Sequence, residues 1–226
     1  MTTTDKTSSP RLSTRDPQPS TATVFLVDDD ASVRKALTRL IRSAGFGIEA
    51  FASAPEFLTR WSSHDGTPAC LVLDVRMPGL TGLDLQQALL ASHTILPIIF
   101  ITGHGDIPMG VKAMKDGAVD FLPKPVKDSV LVEAIERGLA RAEREFNLHQ
   151  ELESIQRRLA TLTPREREVM GLMVQGLLNK QIAFKLGTVE KTVKVHRARV
   201  IEKMEVNSLA ALVRIAERAG IGKALE

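Results

Sequence analysis

The stretch Val24-Phe25-Leu26-Val27-Asp28-Asp29-Asp30 joins four consecutive apolar residues to three aspartates. An apolar run without polar alternation is typical of a strand that helices cover on both faces. The aspartates then lie at the carboxyl end of that strand, where open α/β sheets form their functional crevices. This stretch therefore predicts both the type of sheet and the place to look for chemistry.

Four further apolar runs follow within residues 23–127, and amphipathic segments separate them. For example, Val33, Leu37, Leu40 and Ile41 repeat at three- and four-residue spacing, as expected of a helix. The alternation predicts a doubly wound, five-stranded parallel sheet with helices on both faces. The four runs are Gly47 to Phe51, Cys70 to Leu73, Ile98 to Ile101 and Ala118 to Leu122.

The rest of the chain divides by pattern into three segments. Residues 1–22 are rich in Thr, Ser and Pro, which predicts a disordered tail. Residues 128–160 keep apolar spacing of three and four, which predicts one long helix, although the step from Phe146 to Leu148 breaks the register. We expect its first half to be the last helix of the sheet domain and its second half to be a linker with a potential dimer contact.

Residues 161–226 contain short helical patterns and no candidate strand, which predicts an all-α domain of four helices. Thr163-Pro164-Arg165-Glu166 is a helix start, with Thr as the N-cap and Glu three residues later. This segment carries twelve basic and seven acidic residues, whereas the whole chain has a net charge of only +3. The local excess favours a nucleic-acid partner, although a solvated basic face would give the same count.

Composition excludes several other classes of protein. No apolar run reaches the roughly 18 residues that a membrane helix needs, so no membrane association is expected. The single cysteine, Cys70, lies in an apolar run and is predicted to be a buried thiol. One cysteine cannot form an intrachain disulfide, which fits a cytoplasmic protein.

Polar residues stand at the carboxyl ends of four predicted strands, and the topology brings them into one crevice. They are Asp28 and Asp29, then Asp74, Thr102 and Lys124. Clustered carboxylates repel one another unless a cation lies among them, and Mg²⁺ is the hard ion that oxygen ligands hold. A carboxylate beside such an ion can accept a phosphoryl group, while a lysine and a hydroxyl bind its oxygens. Each piece alone is common in turns and caps; their joint occurrence favours the phosphoryl-transfer interpretation.

The segment from Thr23 to Val126 resembles the receiver domain of response regulators, specifically the FixJ branch. The resemblance is carried by Val27 to Asp30, Leu73 to Gly79, Ile101 to Asp106 and Lys124-Pro125. It implies that Asp74 is the phosphoacceptor and that Asp28, Asp29, Asp74 and the backbone carbonyl of Arg76 hold Mg²⁺. It also implies that Thr102 and Lys124 contact the phosphoryl group and that Phe121 is the switch aromatic. Asp30 is expected to be a helix cap.

Within residues 161–226, Leu178 to Ala183, Leu186-Gly187 and Val193 to His196 form a helix, glycine turn and helix pattern. The second helix is apolar on one side and basic on the other, which suits a helix facing the major groove, although an ordinary surface helix has the same pattern. The order of residues closely resembles the LuxR/NarL-type helix-turn-helix domain, with a recognition helix from about Glu190 to Met204.

That resemblance implies two sets of DNA contacts. Lys194, Val195 and Ala198 are expected to face base edges. The candidates for phosphate contact are Lys180, Lys191, Thr192, His196 and Arg199. Two positions depart from the family pattern, because Val189 replaces a common capping Ser or Thr, and Glu205 replaces a common Gly.

Together these features predict a cytoplasmic response regulator, a transcription activator whose DNA binding is controlled by phosphorylation of Asp74 by a sensor histidine kinase. Expected partners are promoter half-sites in double-stranded DNA, RNA polymerase and a second copy of the chain once it is phosphorylated. No enzymatic turnover is expected beyond phosphorylation and dephosphorylation of the chain itself. Two alternatives stay open: a phosphatase-type enzyme with an aspartyl-phosphate intermediate, and a DNA-binding regulator that works without phosphorylation.

Overall fold

The computed structural model describes residues 22–92, 94–103 and 107–221. The chain divides into two compact units, a first unit up to Glu143 and a second unit from Arg144. The predicted tail of residues 1–22 lies almost entirely outside the described residues. None of the described helices is long and apolar enough to cross a membrane.

The first unit is built on a five-stranded, fully parallel sheet in the order β2-β1-β3-β4-β5. Its central strands β1, β3 and β4 are almost wholly buried, as unbroken apolar runs require. The strands are β1 Thr23–Val27, β2 Gly47–Phe51, β3 Ala69–Asp74, β4 Ile98–Thr102 and β5 Asp120–Pro123.

Helices cover both faces of this sheet, which confirms the doubly wound architecture. Phe57 of α2, Leu85 of α3 and Ala113 of α4 pack into a core with one face. Ile41 of α1 and Leu131 of α5 pack into a second core with the other face. The helices are α1 Ala31–Ser43, α2 Ala54–Trp61, α3 Gly82–Ala91, α4 Ile107–Lys115 and α5 Asp128–Ala160.

The fifth strand begins two residues later than the apolar run predicted. Gly117 has a φ of 90°, and the amide of Ala118 donates to the carbonyl of Ala113, so these residues still close the end of α4. The amide of Val119 then donates to Ile98 of the neighbouring strand at 2.7 Å. The apolar character of Ala118 therefore reflects packing of a helix end and not a strand.

An aromatic cluster forms part of the core on one face of the sheet. The Trp61 ring stacks on His64 at a centroid distance of 4.6 Å and on Phe57 at 5.9 Å. Phe25 meets Trp61 edge-on at 5.6 Å, which ties β1 to the end of α2. Edge-on and offset-stacked contacts are the arrangements that aromatic rings prefer.

The second unit is all-α, with the end of α5 followed by four helices. Its core gathers Val169, Ile182, Val193 and Leu212, one from each of those helices. Thr163 caps the first of them through a reciprocal capping box with Glu166, as predicted. The helices are α6 Pro164–Val174, α7 Asn179–Lys185, α8 Glu190–Lys203 and α9 Leu209–Arg218.

Candidate functional site

Three carboxylates meet at the carboxyl edge of the parallel sheet. Asp28 directly follows β1, Asp29 comes next, and Asp74 is the last residue of β3. One carboxylate oxygen from each lies within 4.8 Å of the other two. Asp28 and Asp74 are buried, while Asp29 is exposed, so the cluster opens to solvent on one side.

Lys124, directly after β5, bridges the two buried carboxylates. Its Nζ donates to Asp28 Oδ2 at 2.7 Å and to Asp74 Oδ2 at 2.8 Å. Burial raises the pKa of Asp28 above its ordinary value, although the hydrogen bond from Lys124 opposes this rise. Burial works against the charge of Lys124, but its two acceptors outweigh that effect and the net pKa of the lysine is raised.

Backbone amides and a close helix start hold the loops around this cluster. Asp30 caps α1, accepting from the amides of Ser32 and Val33, which confirms its expected place as a cap. The amide of Arg76 donates to Asp74 Oδ1 at 3.3 Å, while the Arg76 side chain is exposed. Gly82 begins α3 close to the end of β3, where a Cβ would lie 2.3 Å from the Asp74 carbonyl oxygen.

Thr102 lies on β4, the strand next to that of Asp74, and Phe121 lies on β5, on the far side of β4. Thr102 ends β4 and is buried, and its carbonyl accepts the Lys124 amide at 2.7 Å. Phe121 pairs in register with Phe100, is partly buried, and lies against Gly110 of α4. Sheet topology therefore brings all of the predicted phosphoryl-site residues to one edge, with Phe121 between the sheet and α4.

The donor set at this edge fits a hard divalent cation. Its side-chain groups are carboxylate oxygens, which suit Mg²⁺ and not the soft metals that prefer sulfur or imidazole. Asp29 adds an exposed carboxylate on the solvent side, and Asp28 and Asp74 provide the buried side. The residues present therefore fit the predicted ion.

In the second unit, α7 and α8 form a helix-turn-helix. Gly187, with a φ of 59°, ends α7, and the amide of Thr188 returns to the carbonyl of Ala183. Val189 takes the N-cap position of α8 and makes no side-chain cap, as its departure from the family pattern predicted. Glu205 follows α8 with a φ of 54°, a conformation that side chains rarely adopt.

The predicted DNA-contact residues divide by exposure. Lys191, Lys194, Val195, Ala198 and Arg199 are exposed on α8, and Lys180 is exposed at the start of α7. Thr192 and His196 are partly buried, and His196 Nδ1 has no hydrogen-bond partner among the described residues. A phosphate contact by His196 would therefore need its Nε2 atom.

Two structural features of these sites were missed by sequence reasoning. The first is Gly82, whose missing side chain admits the Asp74 carbonyl; the adjacent capping box of Thr81 and Asp84 marks a helix start but not this close approach. The second is the buried Glu166, which accepts from Lys203 Nζ at 2.6 Å and so joins α6 to α8. Glu166 was recognised only as part of a cap.

Comparison with known families agrees with both halves of this description. Residues 24–136 match the response regulator receiver domain. Residues 160–216 match the bacterial regulatory proteins of the luxR family. The two matches fall on the sheet unit and on the helix-turn-helix, respectively.

Curated relatives match over nearly the whole chain. Nodulation protein W of Bradyrhizobium diazoefficiens is 48% identical over 200 residues, covering 88% of this chain and 87% of the relative. The transcriptional regulatory protein FixJ of the same organism is 44% identical over 202 residues, covering 88% and 96%. The response regulator protein TodT of Pseudomonas putida is 43% identical over 195 residues, covering 86% and 85%.

Solved structures give the same result. The response regulator StyR is 47% identical, with a TM-score of 0.80 over 87% of this chain and 98% of that chain. Full-length FixJ from B. japonicum is 44% identical, with a TM-score of 0.54 over 88% and 98%. With these matches, the chain belongs to the response regulators, as a transcriptional regulator that joins a receiver domain to a LuxR-type DNA-binding domain.

Proposed function

We propose that Asp74 accepts a phosphoryl group from a sensor histidine kinase and that this modification controls DNA binding by the second unit. The observation that carries the proposal is the convergence of Asp28, Asp29 and Asp74 within 4.8 Å, with Lys124 hydrogen-bonded to two of them. A buried carboxylate with a fixed cation beside it is prepared to bear additional negative charge.

The chemistry at this edge is a transfer between two nucleophiles. An Asp74 oxygen forms a bond to phosphorus while the phosphorus–nitrogen bond of the kinase phosphohistidine breaks. Lys124, 2.8 Å from Asp74, exchanges that contact for one with a phosphoryl oxygen, and the Thr102 hydroxyl binds another. Asp28, Asp29, Asp74 and the Arg76 carbonyl would hold Mg²⁺, which offsets negative charge on the phosphoryl oxygens.

The switch consists of Thr102, Phe121 and α4. Movement of the buried Thr102 toward the phosphoryl group leaves space at the end of β4. Phe121 turns into that space and changes the surface formed by α4 and β5. Gly110 of α4 supports this assignment, because a Cβ at this position would lie 3.3 Å from the Phe121 ring. Without that side chain, the ring has more room to rotate.

The second unit reads promoter half-sites through α8. Lys194, Val195 and Ala198 contact base edges, and Lys180, Lys191, Thr192, His196 and Arg199 contact phosphates.

Two-fold half-sites require two copies of α8, so the phosphorylated chain acts as a homodimer in the cytoplasm and activates transcription with RNA polymerase. Light scattering with and without acetyl phosphate tests the dimer; strong operator binding by a phosphorylated monomer contradicts it.

The decisive experiment treats full-length protein with acetyl phosphate and Mg²⁺. Mass spectrometry should find one phosphoryl group on the wild type and none on Asp74→Asn, which should also lose the induced gain in DNA affinity. Asp128→Asn, at the exposed start of α5, is the control and should behave as wild type. The proposal is contradicted if Asp74→Asn still gains a phosphoryl group, or if acetyl phosphate increases the DNA affinity of a protein that carries no phosphoryl group.

The same reaction separates this proposal from the phosphatase alternative. A receiver releases at most the phosphate that it has itself accepted, whereas a phosphatase hydrolyses many equivalents of a phosphate ester. Phosphate release should therefore follow the slow cycle of acyl-phosphate consumption and show no turnover of aryl or alkyl phosphate esters. A phosphorylation-independent regulator would instead bind DNA equally well with and without acetyl phosphate.

A further inference from the structure

The C-terminal end of the recognition helix α8 is held from outside the helix-turn-helix. Arg158, near the end of α5, donates from Nη1 to the carbonyl of Met204 at 2.8 Å. Met204 is the C-cap of α8, so this carbonyl is one of the acceptors that a helix end leaves without an intrahelical partner. The recognition helix is thus anchored by a side chain of the linker.

The turn after α8, whose Met204 carbonyl accepts from Arg158, is under backbone strain. Glu205, directly after Met204, has a φ of 54° and is the one non-glycine residue with positive φ among the described residues. Its carboxylate lies 4.0 Å from Arg158 Nη1, and its side chain is largely exposed. Such a conformation persists only where surrounding contacts hold it, and the Arg158 hydrogen bond lies immediately before it.

A second contact ties the same helix end to the linker. Lys203 Nζ donates to the carbonyl of Thr161 at 3.0 Å, one residue past the end of α5. Two side chains thus cross in opposite directions between the end of α5 and the end of α8. The orientation of α8 therefore depends on where α5 ends, in addition to its own packing against α6 and α7.

The helix α5 is also the segment that connects the two units of the chain. It begins at Asp128 in the first unit and ends at Ala160 in the second. We propose that Arg158 is a positioning residue that makes the DNA affinity of α8 depend on the state of the linker helix. This inference rests on the proposed phosphorylation control, since it assigns the contact through which that control reaches the recognition helix.

The test compares four variants of the full chain. Arg158→Met keeps the aliphatic stem but removes the donor, and Glu205→Gly relieves the positive φ. The combined variant Arg158→Met/Glu205→Gly separates stability from positioning. Arg157→Met is the matched control, because Arg157 is exposed on the same helix and pairs only weakly with Glu153, at 3.8 Å.

DNA affinity is measured by fluorescence anisotropy before and after treatment with acetyl phosphate and Mg²⁺. The probe is a DNA duplex selected in vitro for binding to the wild-type protein. Hydrogen exchange at the last turn of α8 reports local stability. Arg158→Met should reduce the affinity of the phosphorylated chain about fivefold, within the usual range for a coupling between sites. The unphosphorylated chain should change less than about twofold, and Arg157→Met should match the wild type.

The combined variant gives the decisive outcome. Glycine at 205 should restore slow exchange at the end of α8 but should not restore the affinity gained on phosphorylation. If the gain returns together with the slow exchange, Arg158 only stabilises the turn and the proposal is wrong. It is also wrong if Arg158→Met keeps the full gain. If the wild type accepts phosphate without any gain in DNA affinity, phosphorylation does not regulate DNA binding and the inference is wrong as well. If Asp74 is not phosphorylated at all, the proposed function fails at the first unit instead.

Discussion

Lys124 and Asp74, fifty positions apart in the chain, form a hydrogen bond of 2.8 Å at the edge of the sheet. The same ammonium group donates to Asp28 at 2.7 Å, so one cation serves two buried carboxylates that come from two other strands. The positions of β1, β3 and β5 in one parallel sheet create this arrangement, and it would be lost if any of these strands shifted register.

We expect Lys124→Met to impair both the chemistry and the stability of the first unit. Removing the donor leaves Asp28 and Asp74 buried without their shared partner, which should cost about 1–3 kcal/mol of unfolding free energy. Phosphorylation by acetyl phosphate, followed by mass spectrometry, should slow by at least about tenfold, because an electrostatic contact to the transferring group is lost. Lys127→Met, an exposed lysine three residues away, is the control; equal loss in both variants would argue against a specific role for Lys124.

Gly82→Ala should disturb the connection between β3 and α3, which starts at Asp74, without adding or removing charge. The new Cβ would lie 2.3 Å from the Asp74 carbonyl oxygen, so the start of α3 or the end of β3 must move. Overpacking of this kind typically costs about 1–3 kcal/mol, and phosphorylation of Asp74 should slow in parallel.

Gly171→Ala, inside α6, provides the contrast for this substitution. A Cβ at Gly171 meets nothing within 4 Å, so alanine there should be neutral or stabilising by about 0.5–1 kcal/mol. Chemical denaturation measures both variants. A neutral Gly82→Ala would show that the backbone near Asp74 adapts more easily than its packing indicates.

The second unit should depend on pH through Glu166. The hydrogen bond from Lys203 lowers the pKa of the Glu166 carboxyl to about 2, with further help from the Thr163 amide. The pKa of Glu166 in the folded state lies below its ordinary value of 4.5. The stabilisation of the fold by the ionised carboxylate is therefore complete above pH 4.5 and is lost as the pH falls toward about 2.

Glu166→Gln tests this linkage. The variant should exchange amide hydrogens faster than the wild type in α6 and α8 at neutral pH, and the difference should shrink between pH 4.5 and about 2. Glu168→Gln is the control, since Glu168 is exposed and its partner Arg165 lies on the same helix. If the difference in exchange rate between Glu166→Gln and the wild type is as large near pH 2 as at neutral pH, the variant acts through packing and not through loss of the ionised pair.

The two sets of DNA contacts should separate in salt titrations. Arg199→Ala should weaken binding to all sequences alike and reduce the slope of log affinity against log salt by about one unit. Val195→Ala should keep the slope but change which base is preferred, by about 1–3 kcal/mol at one position. Lys185→Ala, an exposed lysine outside both sets, should change neither; a change of slope there would require a wider footprint than the one proposed.

The sequence was sufficient for the architecture because its signals are local. Mainly apolar runs located the five strands, and apolar spacing located α5 from Asp128 to Ala160. The start of α8 at Glu190 came from the resemblance to the LuxR/NarL-type domain. Strand order was not accessible, because the same runs would serve in several arrangements of a parallel sheet. The start of β5 was misplaced because Ala118 is buried in a helix end, and burial alone does not distinguish a strand from a turn.

The candidate sites show the same division. The ends of four strands were enough to bring Asp28, Asp74, Thr102 and Lys124 to one edge, since the parallel topology does so for any sequence that adopts it. The contacts of Gly82 with Asp74 and of Arg158 with Met204 could not be predicted. They depend on how closely particular elements approach each other, and no spacing pattern in a single sequence encodes that distance.

The aromatic cluster around Trp61 has a practical consequence for studying a chain of two units. The protein has one tryptophan and no tyrosine, and that indole lies in the first unit, stacked on His64 and Phe57. Intrinsic fluorescence excited in the indole band therefore follows melting of the sheet alone and is silent to the helix-turn-helix, whereas circular dichroism sees both. Comparing the two signals in one denaturation experiment should show whether the units melt together or separately, without cutting the chain or attaching a dye.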